Sequence, residues 1–350
     1  MFQKPQDVSE GRLRAIAVSG LGPTWIARLI GNLGSLERIG HADRHQLEAA
    51  GMSCRRAHKI ARALASVNTA QLRDQMERCD VGLVTIDDQC FPPLLRLIPD
   101  SPLALFGKGA FEALQLPSLA IVGSRRCSAE GTRAAQRFAG QLASWGLAVV
   151  SGGARGIDAS AHRATLAVGG CTTVVLGCGH GHCYPTEHTE LFSQIAQRGG
   201  VLVSEFLPDM GPRPGYFPRR NRIISGLALG VLVIEAGPRS GALVTARLAA
   251  EEHGREVMAL PASLETPQAV GSLSLLARGE AQMVLVPQDV IAQLRFSANL
   301  MEAGSEASLQ RSELLGSSDA LVSPKYANDN ALDSALIDHD IVERRVRGAK

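Results

Sequence analysis

A short apolar run followed by a glycine-rich loop and an amphipathic helix recurs between residues 119 and 295. Each run is brief and continuously apolar, as expected for parallel strands that are buried on both faces. The pattern predicts a Rossmann-like, doubly wound, mostly parallel α/β sheet, whose ligands bind beyond the carboxyl ends of the strands. The predicted strands are Leu119–Val122, Ala148–Val150, Thr173–Leu176, Val201–Val203, Val231–Ile234 and Val257–Leu260.

The rest of the chain differs from this repeat. Residues 1–75 contain short helical patterns joined by glycine turns and predict a small helical domain, while residues 76–298 form the Rossmann-like domain. The five prolines between 81 and 118 suggest a connection between the two. Residues 299–350 carry nine acidic and six basic residues and predict a polar linker with a short tail, without a complete winged-helix domain.

One turn in the helical domain suggests a function. Gly20-Leu-Gly22 opens a helix and resembles a helix-hairpin-helix module, which presents backbone N–H groups to phosphate. The same pattern occurs in a small bundle, of the SAM type for example, that only packs or binds a partner. Both interpretations stay open.

Several locations and chemistries are disfavoured. No apolar run reaches the roughly 18 residues that a membrane-spanning helix needs. The N-terminus is polar, and the seven cysteines are scattered and odd in number, so reduced thiols in a cytoplasmic protein are expected. The net charge is only +2, but arginine outnumbers lysine by 31 to 5. Forked arginine side chains suit phosphate oxygens.

The predicted strand-end loops collect small residues and arginines. Such loops offer backbone N–H groups and guanidinium groups to anions. No Gly-x-Gly-x-x-Gly or Gly-x-x-x-x-Gly-Lys-Ser/Thr pattern is present, so neither nucleotide fingerprint applies. More loops are involved than one mononucleotide requires, which favours an extended polyanion. The candidate residues are Gly123, Ser124, Arg125, Ser151, Gly152, Arg155, Phe217, Arg219, Arg220, Asn221, Arg222, Ser240 and Gly241.

The loop at 216–226 is the most informative of these. Three arginines lie within four residues, beside Tyr216 and Phe217. Arginine on phosphate and an aromatic ring under a base are typical of single-stranded nucleic-acid binding. A solvated basic helix start is the alternative. Basic residues at a helix N-terminus oppose the helix dipole, however, so a bound anion would relieve them.

Neither a cofactor, a metal nor a catalytic residue is predicted. The loop at 178–188 contains two cysteines and three histidines, but their spacing is not that of paired zinc ligands. Ser240 does not lie in a Gly-x-Ser-x-Gly elbow. His162 could act as a base, but a hydrogen-bond partner that holds its loop is the simpler interpretation.

At these loops the sequence resembles the DprA/Smf family of DNA-processing proteins. The resemblance covers about half of the chain and rests on 120–125, 150–162, 184–185, 204–205, 217–226 and 235–247. It implies a Rossmann-like domain that binds single-stranded DNA without catalysis, protects incoming DNA in natural transformation and helps load the RecA recombinase. It also implies a homodimer formed through this domain.

Two other functions remain as alternatives. The first is a nucleotide or phosphoribosyl hydrolase of the lysine-decarboxylase-like Rossmann class, although the Gly-Gly-x-Gly-Thr loop of that class is absent at Ser240-Gly241. The second is an adaptor that binds only protein, suggested by the acidic tail.

Overall fold

A nine-stranded sheet organises the part of the chain that the structure describes. The structure is a computed structural model and describes residues 1–18 and 23–294. The strand order is β1-β2-β6-β5-β4-β3-β7-β8-β9. The strands are β1 (Gly82–Thr85), β2 (Ala104–Gly109), β3 (Ser118–Val122), β4 (Ala148–Ser151), β5 (Thr172–Val175), β6 (Val201–Ser204), β7 (Gly230–Val233), β8 (Glu256–Ala259) and β9 (Gln282–Met283).

The sheet is parallel except at one edge. Pairing is parallel from β6 through β5, β4, β3, β7 and β8 to β9, whereas β2 is antiparallel to both β1 and β6. The chain begins the parallel part at β3, adds β4, β5 and β6 on one side, and then crosses to β7 on the other. This crossing makes the sheet doubly wound, with its topological switch point beside β3.

Helices cover both faces of the sheet. Leu119 and Ile121 of β3 belong to the hydrophobic cluster on one face, and Ala120 and Val122 belong to the cluster on the other. Successive side chains of a strand point to opposite faces, so continuously apolar strands supply both cores. The helices after β2 are α8 (Ala129–Ser144), α9 (Ile157–Ala167), α10 (Thr189–Gln197), α11 (Tyr216–Leu227), α12 (Gly241–Glu251) and α13 (Val270–Ala277).

The fold class and the six strands predicted from the sequence are confirmed, with ends that differ by at most one residue. The connection expected over 81–118 is wrong in part, because this segment forms β1 and β2. It also forms the short helix α7 (Pro93–Arg96) between them. The tail at 299–350 and the Gly20–Gly22 turn lie outside the described residues.

The N-terminal part is helical, as predicted. Its helices form a hydrophobic core that also contacts Ile86 and Leu103, at the ends of β1 and β2. Arg12 pairs with Asp88 at 2.9 Å and with Asp87 at 3.4 Å, immediately after β1. The helices are α1 (Glu10–Ala17), α2 (Pro23–Leu33), α3 (Leu36–Gly40), α4 (Arg44–Ala49), α5 (Cys54–Ser66) and α6 (Thr69–Cys79).

Two glycines let α1 and α3 approach closely. A Cβ added at Gly40 would overlap the backbone of Gly11, and one added at Gly11 would overlap the carbonyl of Glu37. Neither backbone can yield without separating the two helices. The closest approach in the helical region therefore depends on the absence of a side chain at both positions.

We expect Gly40→Ala to lower the free energy of unfolding by about 1–3 kcal/mol, because the added methyl overpacks a backbone contact. Urea unfolding followed by circular dichroism measures the change. Gly31→Ala is the matched control, since a Cβ at Gly31 of α2 meets nothing within 4 Å. There alanine should be neutral or stabilising by up to about 1 kcal/mol. Equal effects of the two substitutions would contradict the close approach.

Candidate nucleic-acid interface

A large cavity lies at the carboxyl ends of β3, β4 and β7, beside the switch point. Its volume is about 780 Å³. Among the described residues, four arginines contribute to its wall and Asp158 is the only acidic residue that lines it. The cavity therefore has the sign and the position expected for an anion-binding site in an open α/β sheet. The arginines are Arg125, Arg126, Arg220 and Arg239.

The loop after β3 approaches its neighbours too closely for side chains. A Cβ at Gly123 would press on the side chain of Ile157 and the carbonyl of Glu235. The backbone N–H of Ser124 donates to that Glu235 carbonyl at 2.7 Å, and its hydroxyl accepts from the N–H of Arg126 at 3.1 Å. Both residues line the cavity, but these groups of Ser124 hold the loop and are already engaged.

Arg125 follows on the exposed side of this loop and lies against an aromatic pair. Its guanidinium carbon is 5.7 Å from the ring centre of Phe217. Phe217 packs against Tyr184, with ring centres 5.2 Å apart, and Tyr184 is 41% exposed. A cation thus stands beside partly accessible rings at the cavity wall, as stacking on bases and pairing with phosphates require.

Arg220 forms the floor of the cavity and is buried. It donates to the carbonyl of Gly152 at 2.6 Å and to the carbonyl of Val175, at the ends of β4 and β5. Burial lowers its pKa to about 10, while the nearby Asp158 opposes this shift. The guanidinium stays protonated at neutral pH. It therefore contributes a fixed positive charge whose hydrogen bonds go to the protein.

Asp158 is the counter-charge. Burial raises its pKa, while Arg220 and the N–H groups of Ala154 and Gly152 act in the opposite direction. Its Oδ2 accepts from Gly152 at 3.2 Å and from Ala154 at 3.3 Å. These N–H groups of the loop after β4 face the carboxylate, so the carboxylate organises the loop.

The N-terminus of α12 forms the opposite wall. Ser240 caps this helix by accepting from the N–H of Ala242 at 3.2 Å. The amide of Asn221 donates to the carbonyl of Gly241 at 3.2 Å and joins α11 to α12. Ser240, Gly241 and Asn221 all line the cavity. The positive end of a helix dipole is therefore added to the arginines.

Five predicted residues lie outside the cavity. The hydroxyl of buried Ser151 donates to the carbonyl of Ile121 at 2.6 Å and joins β4 to β3. Arg222 is buried in ion pairs with Glu205 at 2.7 Å and Asp100 at 2.8 Å. Arg219 is exposed and pairs with the same Glu205.

The fourth and fifth are Gly152 and, on the outer side of the same loop after β4, Arg155. It is exposed and pairs with Glu187. With Gly152 it lines a smaller cleft that adjoins Arg125, Phe217 and Tyr184. The structure therefore divides the predicted residues among the cavity, this cleft, and contacts that hold the fold.

The cavity residues absent from the predicted site include two arginines and a tyrosine. Arg126 and Arg239 are exposed on the loops after β3 and β7, and Tyr184 stands at the rim. No ion pair of Arg126 or Arg239 occurs within residues 1–18 and 23–294. The signal was present, since each arginine lies in a strand-end loop that the sequence already singled out.

The histidines of the loop after β5 bind backbone. His180 contacts the carbonyl of Phe106 at 3.0 Å, and His188 contacts that of Gly153 at 2.9 Å. The described residues contain no group of three or more potential metal ligands. His162 Nδ1 bonds to the Thr172 hydroxyl at 2.7 Å, so this histidine joins α9 to β5 and does not hold the loop after β4 as predicted.

The fold and the cavity together define a class: Rossmann-like α/β proteins with a basic cavity at the switch point. A family model described as DNA recombination-mediator protein A matches residues 82–295. Protein Smf of Escherichia coli is 40% identical over 269 residues, which are 77% of this chain and 71% of that protein. The chain belongs to the DprA/Smf family of DNA-processing proteins.

Solved structures of family members resemble this chain. The X-ray structure of DNA processing protein A from Streptococcus pneumoniae superposes with a TM-score of 0.71 at 33% identity. That match covers 81% of this chain and 98% of the other. DNA processing protein A from Helicobacter pylori, described for its single-stranded-DNA binding mode, gives 0.55 at 30% identity over 61% and 95% of the two chains. None of the helices in residues 1–18 and 23–294 has the length and apolarity that crossing a bilayer requires.

Buried His162 should make stability depend on pH. Burial lowers its pKa from 6.5 to about 3, and the charges of His188 and Arg220 act in the same direction. Between pH 6.5 and about 3 this histidine is protonated in the unfolded chain but stays neutral in the folded protein. We expect the free energy of unfolding to fall as pH drops towards 3, by about 1.4 kcal/mol per pH unit from this residue.

His162→Gln should remove this contribution, as measured by urea unfolding at several pH values. His180, whose pKa burial lowers to about 4, acts in the same range, so the difference between wild type and variant isolates His162. Exposed His45→Gln is the control and should leave the slope unchanged. An identical slope in wild type and His162→Gln would contradict the neutral buried state.

Proposed function

We propose that this chain binds single-stranded DNA, without catalysis, in the cavity at the ends of β3, β4 and β7. The observation that carries the proposal is the charge of the cavity: four arginines against one buried carboxylate. The Helicobacter pylori relative is described as binding single-stranded DNA, and its sequence is 30% identical. A polyanion is the ligand class that such a wall attracts.

Within this proposal, phosphates and bases contact different residues. The exposed guanidinium groups of Arg125, Arg126 and Arg239 bind phosphate oxygens, for which a forked donor is suited. Phe217 and Tyr184 receive a base on their accessible faces. The exposed side chains of Arg155 and Arg219 extend the path once the DNA competes with their carboxylate partners, Glu187 and the buried Glu205. Ser151, Gly152, Arg220 and Arg222 support the site from below.

The wider role follows the family. We propose that the chain acts in the cytoplasm, protects incoming DNA and helps load the RecA recombinase onto it. The hydrolase alternative lacks support in the cavity. Among the described residues Asp158 is the only acidic one that lines it, and this carboxylate accepts from two backbone N–H groups near the charge of Arg220. Incubation with nucleoside monophosphates tests it, and release of free base would favour the enzyme.

Arg125→Ala should weaken oligo-dT binding by about tenfold, since one charged hydrogen-bonding group is lost. The slope of log K against log salt should fall by about 0.7, the value for one phosphate of a single strand. Fluorescence anisotropy across a salt titration measures both. Arg137→Ala, at an exposed position of α8, is the charge-matched control. Equal behaviour of the two variants would refute a phosphate at Arg125, and wild type that binds no oligo-dT would refute the function.

We also propose a homodimer through the β9 end of the sheet. In the described residues β9 pairs only with β8, so its outer edge is open. Met283 of β9 and Leu285 just after it are 57% and 60% exposed. An open edge beside exposed apolar side chains is a typical self-association surface.

Met283→Glu should convert the dimer to a monomer, because a charge would be buried in the apolar contact. Light scattering coupled to size exclusion measures the mass. Val168→Glu introduces the same charge at another exposed apolar residue, 48% accessible, and should leave the mass unchanged. A monomeric wild type would overturn the proposed dimer, and a Met283→Glu dimer would overturn this face.

A further inference from the structure

A row of basic side chains lies along one face of α5, far along the sheet from the cavity. Arg55, His58, Lys59 and Arg62 are spaced by three and four residues, which places them on one side of a helix. All four are exposed, and they line a shallow groove of about 720 Å³. We call these four residues the basic stripe. The opposite side of α5 carries the buried residues Ala57, Ile60 and Leu64.

The stripe is not neutralised by the protein around it. The sequence contains no aspartate or glutamate between Glu48 and Asp74. Within the described residues, Arg55, Lys59 and Arg62 take part in no ion pair. Like charges three and four residues apart destabilise a helix, and Arg55 in the first turn also opposes the helix dipole. A bound polyanion would relieve all of these repulsions together.

The helical region meets the sheet at the carboxyl end of β1, and the cavity lies at the carboxyl ends of other strands of the same sheet. β1 is antiparallel to β2, and β2 to β6, so β1 runs in the direction of the parallel strands. Asp87 and Asp88, which bind Arg12 of α1, follow the carboxyl end of β1. Five strand spacings separate β1 from β3, which is about 24 Å at ~4.8 Å each. A DNA strand that leaves the cavity along this edge therefore runs towards the helical region.

We propose that the basic stripe is a second DNA-binding site, which holds the sugar-phosphate backbone of a strand bound in the cavity. The inference rests on the proposed function and extends it from the sheet to the helices. The stripe contains no phenylalanine, tyrosine or tryptophan, so it provides no stacking surface of its own. It recognises phosphates by charge, without preference for base.

The experiment compares two triple variants of the full chain. R55A/K59A/R62A removes three charges from the stripe and keeps good helix formers in α5. R137A/R163A/R198A removes three charges from exposed positions of α8, α9 and the end of α10, and is the control. Each is titrated with salt against a long oligo-dT of about 25 nucleotides and a short one of about 6, within the site size of a single module.

The stripe variant should bind the long oligonucleotide more weakly than the control does. The slope of its log K against log salt should fall by about 2, since each phosphate contributes about 0.7. Its binding to the short oligonucleotide should match that of the control. Unchanged thermal unfolding shows that the helices remain intact. Titration against duplex DNA shows whether the stripe also accepts paired strands, which should depend on the same three charges.

Three outcomes overturn the inference. One is a stripe variant that binds the long oligonucleotide as the control does. Another is a stripe variant whose affinity falls equally for the long and the short oligonucleotide, which would make the stripe part of the first site. The third is loss of binding to phosphatidylserine vesicles with unchanged DNA binding, which would assign the stripe to a membrane surface. Wild type that binds neither length would instead refute the proposed function itself.

Discussion

The buried guanidinium of Arg220 is the contact on which the candidate interface depends. Carbonyl groups at the ends of parallel strands have no further strand to donate to them, and a buried carbonyl without a donor is costly. Arg220 reaches from α11 and satisfies two of them, at Gly152 and Val175. A Cβ at Gly152 would collide with its guanidinium, which explains the glycine there. The charge in turn requires Asp158, whose carboxylate binds two N–H groups of the same loop.

This arrangement separates the arginines into two groups by what surrounds them. Arg220 and Arg222 are buried. Arg220 donates to backbone carbonyls, and Arg222 pairs with carboxylates. Arg125, Arg126 and Arg239 extend into solvent at the cavity wall. A buried charge strengthens the field of the cavity without touching a ligand, whereas an exposed one can form hydrogen bonds to it. Buried arginines that hold the fold and exposed arginines at the cavity wall thus occur around the same site.

The nearly neutral net charge follows from the same division. Glu205 binds Arg219 and Arg222, and Glu187 binds Arg155, so several acids are matched to arginines beside the site. The cavity wall itself retains an excess of positive charge. On the helical side, α5 has no acidic residue at all. The positions of the charged residues therefore determine where a polyanion can bind, and the net charge of the chain does not reveal it.

The sequence by itself determined the parallel sheet, its six central strands and the loops that carry glycine and arginine, because strands buried on both faces require continuous apolar runs. It did not reveal β1 and β2, which pair with each other antiparallel beside prolines, nor the two-residue β9. Only the tertiary structure decided which arginine faces the cavity. Arg220 and Arg222 stand two residues apart on one helix, yet the partners of Arg220 lie 68 and 45 residues away in the chain. Those distant carbonyls are brought to α11 by sheet packing, which no local pattern encodes.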